Sequence, residues 1–215
     1  MTQTHVEDYQ HSGRDVRLTF AKPDGVVRGG LVVLHAANGV TERVQQLISG
    51  LADEGWLTVA PHMLEEDQPD TAEDLTREDV LDATDVTLAW LMDRGVRDDL
   101  LGVVGFDLGG TAALMVASQR TLGAVVSVGG QGGTELPRLV EIAGKLTSPW
   151  LGIYGDAGDE LGKSEVEQLR DASAKAEVAT DVVRYAGANH RFDADPKAAA
   201  EAWQRTLNWF DAHLR

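Results

Sequence analysis

The sequence predicts an α/β fold, a mostly parallel sheet with helices on both faces. Three observations carry this. Short apolar runs rich in β-branched residues recur along the chain, as strands buried on both faces do. Between them lie stretches with apolar residues at three- and four-residue steps, as helices packed on a sheet have. The two patterns alternate from residue 30 onward, which is the signature of right-handed strand–helix–strand crossovers.

The elements follow in order. Residues 15–21 alternate apolar and polar, so this strand is expected at a sheet edge. Continuous apolar strands are expected at 30–35, 56–60, 101–106, 124–128 and 149–154, and a further strand at 180–185. The first helix is expected over 41–54, where Val44, Leu47, Ile48 and Leu51 share a face. The second spans 77–94, with Val80, Thr84, Leu88 and Leu91 on its stripe, widened by Leu81 and Trp90. Residues 109–119 are apolar nearly all round, as a buried helix is. Short amphipathic helices are expected at 136–146 and 163–175. The last helix opens with Pro196 in its first turn and carries Trp203, Leu207, Phe210 and Leu214 on one face.

No repeat, linker or second core interrupts this pattern, so residues 1–215 are expected to form one domain. The chain has no cysteine, which excludes disulfides, a thiolate nucleophile and cysteine zinc sites. The N-terminal residues have neither a basic end nor an apolar stretch, so no signal peptide is expected. The apolar runs are too short to cross a bilayer, and a soluble, cytoplasmic protein is expected. A formal net charge of −16 repels phosphate backbones and anionic membranes. Neither nucleic acid nor membrane is therefore an expected partner; a small-molecule substrate is, with no cofactor and no metal. Acidic residues crowd at Glu65, Glu66, Asp67, Asp70, Glu73, Asp74, Glu78 and Asp79. They lack the ordered spacing and glycine of a calcium loop and are expected to form a solvated loop and helix start.

In such sheets ligands bind beyond the carboxyl ends of the strands, and the residues with chemistry cluster there. Gly105-Phe106-Asp107-Leu108-Gly109 has the form of a nucleophile elbow, glycine–x–nucleophile–x–glycine between strand and helix. Its occupant is a carboxylate. Asp107 is either the reactive group or a helix cap, since Asp is among the best N-cap residues. His190, after the strand 180–185, is the candidate base that activates water. The acid that orients it is expected after the strand 149–154; Asp159 is the choice and Asp156 the second. The chain order nucleophile, acid, histidine is that of the α/β-hydrolases. The backbone N–H groups of Ala37 and Leu108 are the candidate oxyanion hole, and Asn38 a candidate ligand of the leaving group, although Asn38-Gly39 is equally an ordinary turn. His35 is read as a buried structural histidine. The glycines 129, 130, 132 and 133 need only a loop to explain them.

The chain resembles the dienelactone hydrolase family of the α/β-hydrolase superfamily, from about residue 15 to the C-terminal helix. The resemblance rests on Leu31-Val-Val-Leu-His35 with Asn38-Gly39, Ala60-Pro61, Val103-Val-Gly-Phe-Asp-Leu-Gly-Gly110, Leu151-Gly-Ile-Tyr-Gly155, and Tyr185-Ala-Gly-Ala-Asn-His190 with Phe192. It implies an α/β-hydrolase fold, hydrolytic activity on a small electrophile, and His190 as the catalytic histidine. The departures fall at the site itself. Asp107 stands where the family usually has Cys, sometimes Ser. Ala36 stands where the family often has the Glu that primes the thiol. Without a gap, the family's catalytic Asp aligns with Gly158, one residue before Asp159.

Haloalkane dehalogenases and epoxide hydrolases are similar in having Asp at the elbow, where the carboxylate attacks a saturated carbon and activated water hydrolyses the resulting ester. A free Asp, with a pKa of about 3.9, is ionised at neutral pH and needs no priming base, and a helix N-terminus favours the anion. Asp is a poor acyl acceptor, because attack on an ester gives a reactive anhydride. Those enzymes usually insert a cap domain, and this chain is too short for a full one. The expected function is hydrolysis with Asp107 as nucleophile and His190 as base. The alternatives are a non-hydrolytic isomerase or cyclase using Asp107 as general base, and a lapsed or elbow-engineered binding protein.

Overall fold

The computed structural model describes residues 2–64, 75–130, 139–157, 163–189, 192 and 194–215. Eight strands form one sheet: β1 (His5–His11), β2 (Arg14–Ala21), β3 (Gly30–Leu34), β4 (Leu57–Pro61), β5 (Leu101–Phe106), β6 (Ala124–Val128), β7 (Trp150–Gly155) and β8 (Thr180–Tyr185). Their order is β1-β2-β4-β3-β5-β6-β7-β8. From β4 to β8 all neighbours are parallel; β1 and β2 add an antiparallel edge. The helices are α1 (Glu42–Asp53), α2 (Arg77–Asp93), α3 (Leu108–Ala117), α4 (Leu139–Ala143), α5 (Lys163–Ser173) and α6 (Pro196–His213).

The period-two alternation of each strand sorts its side chains onto two cores. Val32, Leu34, Val103, Val125 and Trp150 face the side covered by α2, α3, α4 and α5. Leu31, Val33, Val104, Val126 and Leu151 face α1 and α6. Both faces are thus dry, which is why these strands read as continuous apolar runs.

Two expectations need correction. Residues 15–21 are not at the edge: β2 lies between β1 and β4. β1 is the edge strand, and its sequence HVEDYQH is largely polar and exposed, so it carries no apolar pattern. β2 alternates because Val16, Leu18 and Phe20 pack on the first core while Asp15 and Arg17, on the opposite face, are exposed. Helix α4 is shorter than expected, and positions 136–138 lie outside the described residues. Of the acidic stretch, positions 65–74 also lie outside them. Glu78 and Asp79 open α2, where Thr76 and Asp79 form a reciprocal capping box: the Asp79 amide donates to the Thr76 hydroxyl (3.2 Å) and the Thr76 amide to the Asp79 carboxylate (3.1 Å).

The chain runs from β3 to β4 on one side, then crosses to β5 on the other, so the sheet order switches between β3 and β5. A crevice opens at such a switch. Here it is made narrow by glycine. A Cβ on Gly109 would sit 2.0 Å from the Leu34 carbonyl oxygen, and one on Gly105 would sit 1.8 Å from the Gly109 carbonyl oxygen. Both contacts are with backbone, which cannot swing aside. Only glycine lets the first turn of α3 lie directly on the ends of β3 and β5.

Gly109→Ala is therefore expected to cost about 3 kcal/mol or more, in the upper range for a single substitution, by urea unfolding. A loss under about 1 kcal/mol, within the ordinary range of point substitutions, would show that the approach is not needed.

Candidate active site

β5 ends at Phe106 and α3 begins at Leu108, so Asp107 alone makes the turn. Its backbone is held at φ 59°, ψ −117°, a left-handed conformation that costs a non-glycine residue about 1–3 kcal/mol. Both of its backbone groups are tied. Its amide donates to the Val128 carbonyl at the end of β6 (2.8 Å), and its carbonyl accepts from the amides of Gly110 (2.8 Å) and Thr111 (3.2 Å). The side chain makes no capping bond to α3, which removes the helix-cap reading. Instead the carboxylate, only 5% exposed, lines a cavity of about 400 Å³.

The cavity also meets Ala36 and Asn38 after β3, Phe106 beside the elbow, and Val128 at the end of β6. Gly39, with φ 76°, closes a turn by donating its amide to the Ala36 carbonyl (3.2 Å). The Asn38-Gly39 pair is thus a turn, and the same turn puts Asn38 at the cavity. The Ala37 side chain packs against the core on the α3 side. Leu108 is the first residue of α3, so its N–H has no acceptor within the helix.

His35 is fully buried. Its Nδ1 is 2.7 Å from the Ala36 carbonyl, and its Nε2 accepts from the Met63 amide at 3.1 Å. The first contact requires a proton on Nδ1 and the second a lone pair on Nε2, so the ring is neutral. Burial pushes its pKa below the ordinary histidine value, with the neighbouring His62 adding to the effect. His35 is structural: it ties the loop after β3 to the end of β4.

The histidine loop follows β8. His190 and Asp159 both lie outside the described residues, as does Gly158. Described residues next to these positions are tied to one another. A Cβ on Gly155 would sit 2.2 Å from the Ala188 carbonyl oxygen, so the end of β7 touches the chain after β8. The Ala157 amide donates to that same carbonyl (2.9 Å). Phe192 is buried, lines the Asp107 cavity, and meets Tyr185 edge-on at 5.5 Å.

Asp156 serves this junction. Its carboxylate accepts from the Gly187 amide (2.6 Å) and from the Arg184 guanidinium. The Gly187 bond, then Arg184, holds its pKa below the usual carboxylate value. Both oxygens are thus engaged in clamping the loops after β7 and β8.

Two helices complete the cavity and were not singled out by sequence. Val44 and Leu47 reach it from α1, Ala202, Trp203 and Thr206 from α6. Trp203, on one helical face with Leu207, Phe210 and Leu214, is half-buried: it packs against the core and also walls the cavity. The one available signal was the run of small residues beside it, Ala199 and Ala202, on the same helical face. Among the described residues, no group of three or more His, Asp or Glu side chains is arranged to hold a metal, and no helix is long and apolar enough to cross a membrane.

A parallel sheet with a strained strand–turn–helix elbow at its switch point defines an α/β-hydrolase. The chain belongs to the dienelactone hydrolase family, whose model matches residues 16–214. A Yersinia pestis protein provisionally named carboxymethylenebutenolidase is 28% identical over 207 residues, covering 85% of this chain and 78% of the relative. A Bradyrhizobium protein provisionally named 2-oxo-3-(5-oxofuran-2-ylidene)propanoate lactonase is 28% identical over 245 residues, covering 99% of this chain and 97% of its own. The crystal structure of a provisionally named dienelactone hydrolase from Klebsiella pneumoniae superposes with a TM-score of 0.84 at 25% identity, covering 98% of this chain and 99% of that one.

The His35 pKa is depressed on folding, so the unfolded chain binds the extra proton first. The stabilisation is complete above the unfolded value near 6.5 and is lost as pH falls below it. Between pH 7.5 and 5.5 the protein is expected to lose more stability than His35→Asn, by no more than the limit of about 1.4 kcal/mol per pH unit for one group. Equal losses in urea unfolding of the two proteins would assign the effect elsewhere.

Proposed function

We propose that the protein hydrolyses a small electrophilic molecule through a covalent ester on Asp107. The observation that supports this most is the elbow. The chain spends backbone strain to present one side chain at the cavity, and that side chain is a carboxylate that does not cap its helix. An ionised carboxylate is already nucleophilic, so Ala36, where relatives often have a priming Glu, is no defect.

In the first step an Asp107 oxygen attacks a saturated carbon. The bond from that carbon to its oxygen or halogen breaks, and the leaving group keeps the electron pair. Asn38, at the cavity, donates a hydrogen bond to it. In the second step His190, oriented by Asp159, removes a proton from water. The hydroxide attacks the Asp107 ester carbon, and the N–H groups of Ala37 and Leu108 hold the oxyanion that forms. Collapse releases the alkoxide, which takes the proton back from His190. The proton left on the regenerated Asp107 carboxyl passes to the oxygen set free in the first step or, where the leaving group is a halide, to solvent. Asp107 is then a carboxylate with one oxygen from water, and the net change is addition of one water to an epoxide or replacement of a halide by hydroxyl.

A second reading is favoured by the relative named a lactonase. Attack of a carboxylate on a lactone carbonyl would give an anhydride. On that substrate Asp107 serves instead as the general base that deprotonates water, and no covalent intermediate forms.

Single turnover in ¹⁸O-water separates the two. The ester route puts the label into Asp107, seen by peptide mass spectrometry, and none into product; the general-base route does the opposite. His190→Ala is expected to accumulate the Asp107 adduct with epoxide or alkyl halide substrates, because the second step needs the base. Turnover that survives Asp107→Ala would overturn both readings. Asp107→Cys is expected to gain lactonase activity over the parent chain, measured with a lactone panel; strong lactonase activity in that variant together with an inert parent would instead mark the elbow as catalytically lapsed.

A further inference from the structure

On the side of the elbow away from β3, a buried polar chain reaches it from β7, across β6. Ser127 of β6 and Trp150 of β7 are both fully buried. Ser127 shares its strand face with Val125, on the side that α3 covers. The Trp150 indole N–H donates to the Ser127 hydroxyl (2.9 Å), and that hydroxyl donates to the Gly110 carbonyl in the first turn of α3 (2.8 Å). An indole nitrogen can only donate, so the sense of the chain is fixed: Ser127 accepts from Trp150, and its one proton goes to Gly110. The strand register pairs Val125 with Trp150 and Ser127 with Gly152. The indole therefore leans along β7, over Gly152, to reach Ser127. Glycine leaves it the room, since a Cβ on Gly152 would sit 2.5 Å from the ring.

The chain continues to the elbow residue itself. The Gly110 amide donates to the Asp107 carbonyl (2.8 Å), and the Asp107 amide donates to the carbonyl of Val128, the residue after Ser127 (2.8 Å). Gly110 has no room for a Cβ, which would sit 2.3 Å from the Gly129 carbonyl oxygen. The amide and the carbonyl of Asp107 are thus both tied to the end of β6, the first directly and the second through Gly110 and Ser127. Bonds linked donor to acceptor in a dry interior strengthen one another. The direction in which the Asp107 side chain leaves its backbone follows from φ and ψ, which lie in the left-handed region. Whatever holds the first turn of α3 in place therefore also aims the carboxylate.

We propose that Ser127, polarised by Trp150, is a positioning residue for Asp107: it pins the first turn of α3 to β6 and keeps the carboxylate in line with its target. This rests on the reading of Asp107 as the reacting carboxylate, but not on whether it attacks carbon or deprotonates water. Ser148 supplies the comparison. It is equally buried and also makes two bonds, accepting from the Leu122 amide (2.8 Å) and donating to the Arg120 carbonyl (2.6 Å), but just past the other end of α3.

Ser127→Ala and Ser148→Ala are compared in the full chain. Both are expected to lose stability in urea unfolding, since each leaves buried polar groups unpaired. Turnover is then measured with whichever epoxide, alkyl halide or lactone the parent hydrolyses. Ser127→Ala is expected to lose about tenfold to a hundredfold in kcat with KM within about twofold, as a misaimed reacting group does; Ser148→Ala is expected to keep the parent's kcat. Hydrogen exchange followed by NMR reads the elbow without any substrate. Ser127→Ala is expected to speed the Asp107, Gly110 and Thr111 amides by about three- to tenfold, the loss of one hydrogen bond, relative to the Leu57 amide, which bonds the Gly29 carbonyl far from the elbow. Ser148→Ala is expected to leave that ratio unchanged. Trp150→Phe removes the donor but spares the bond from Ser127 to Gly110. It is expected to show the same pattern at smaller amplitude, and it decides the matter if Ser127→Ala does not fold. An equal fall of kcat in the two serine variants, or elbow amides that exchange no faster relative to Leu57, would overturn the inference. A parent chain that neither turns over nor labels Asp107 in ¹⁸O-water would overturn the catalytic reading of Asp107 alone, and exchange would still decide whether Ser127 holds the elbow.

Discussion

Everything at this site depends on one close contact, the first turn of α3 lying against the carbonyls at the end of β3. Hydrogen bonds do not enforce it; the absence of a Cβ at Gly109 allows it. Once α3 is there, Asp107 must take a left-handed backbone to join strand to helix. The cost of that conformation is recovered through the backbone bonds from Asp107 to Val128, Gly110 and Thr111. The place of Asp107 at the cavity is thus a consequence of a single packing decision between two backbones.

The other half of the site is built on a different principle. The ends of β7 and β8 are joined by polar contacts: Asp156 with Gly187 and Arg184, and Ala157 with Ala188. These order the described residues on either side of the acid and histidine positions. His35 does the same for the loop after β3, with both ring nitrogens in use. Two polar residues near the site, His35 and Asp156, turn out to be fasteners, and their perturbed pKa values reflect that work. A shifted pKa near an active site is a weak guide to catalysis until the hydrogen bonds are known.

The parallel part of the fold was legible in the sequence because both faces of each strand are dry, and apolar continuity survives in a one-dimensional reading. β1 was not legible, because its sequence is largely polar and exposed and offers no apolar pattern to read. The elbow was legible as a spacing of glycines, since steric exclusion leaves its mark on residue identity. Whether Asp107 capped its helix was not, because capping and presentation differ only in a backbone angle. The cavity walls were hidden for a further reason. Trp203 falls on the same helical stripe as Leu207 and Phe210, and periodicity cannot tell a residue facing the core from one facing a void beside it.

Asp107 is held in its turn by main-chain bonds through its own amide and carbonyl. The fold therefore spends comparable backbone strain whichever L-residue stands there. Cysteine, serine and aspartate all carry the amide and carbonyl those bonds need, so the backbone of the turn sets no preference among the three at position 107.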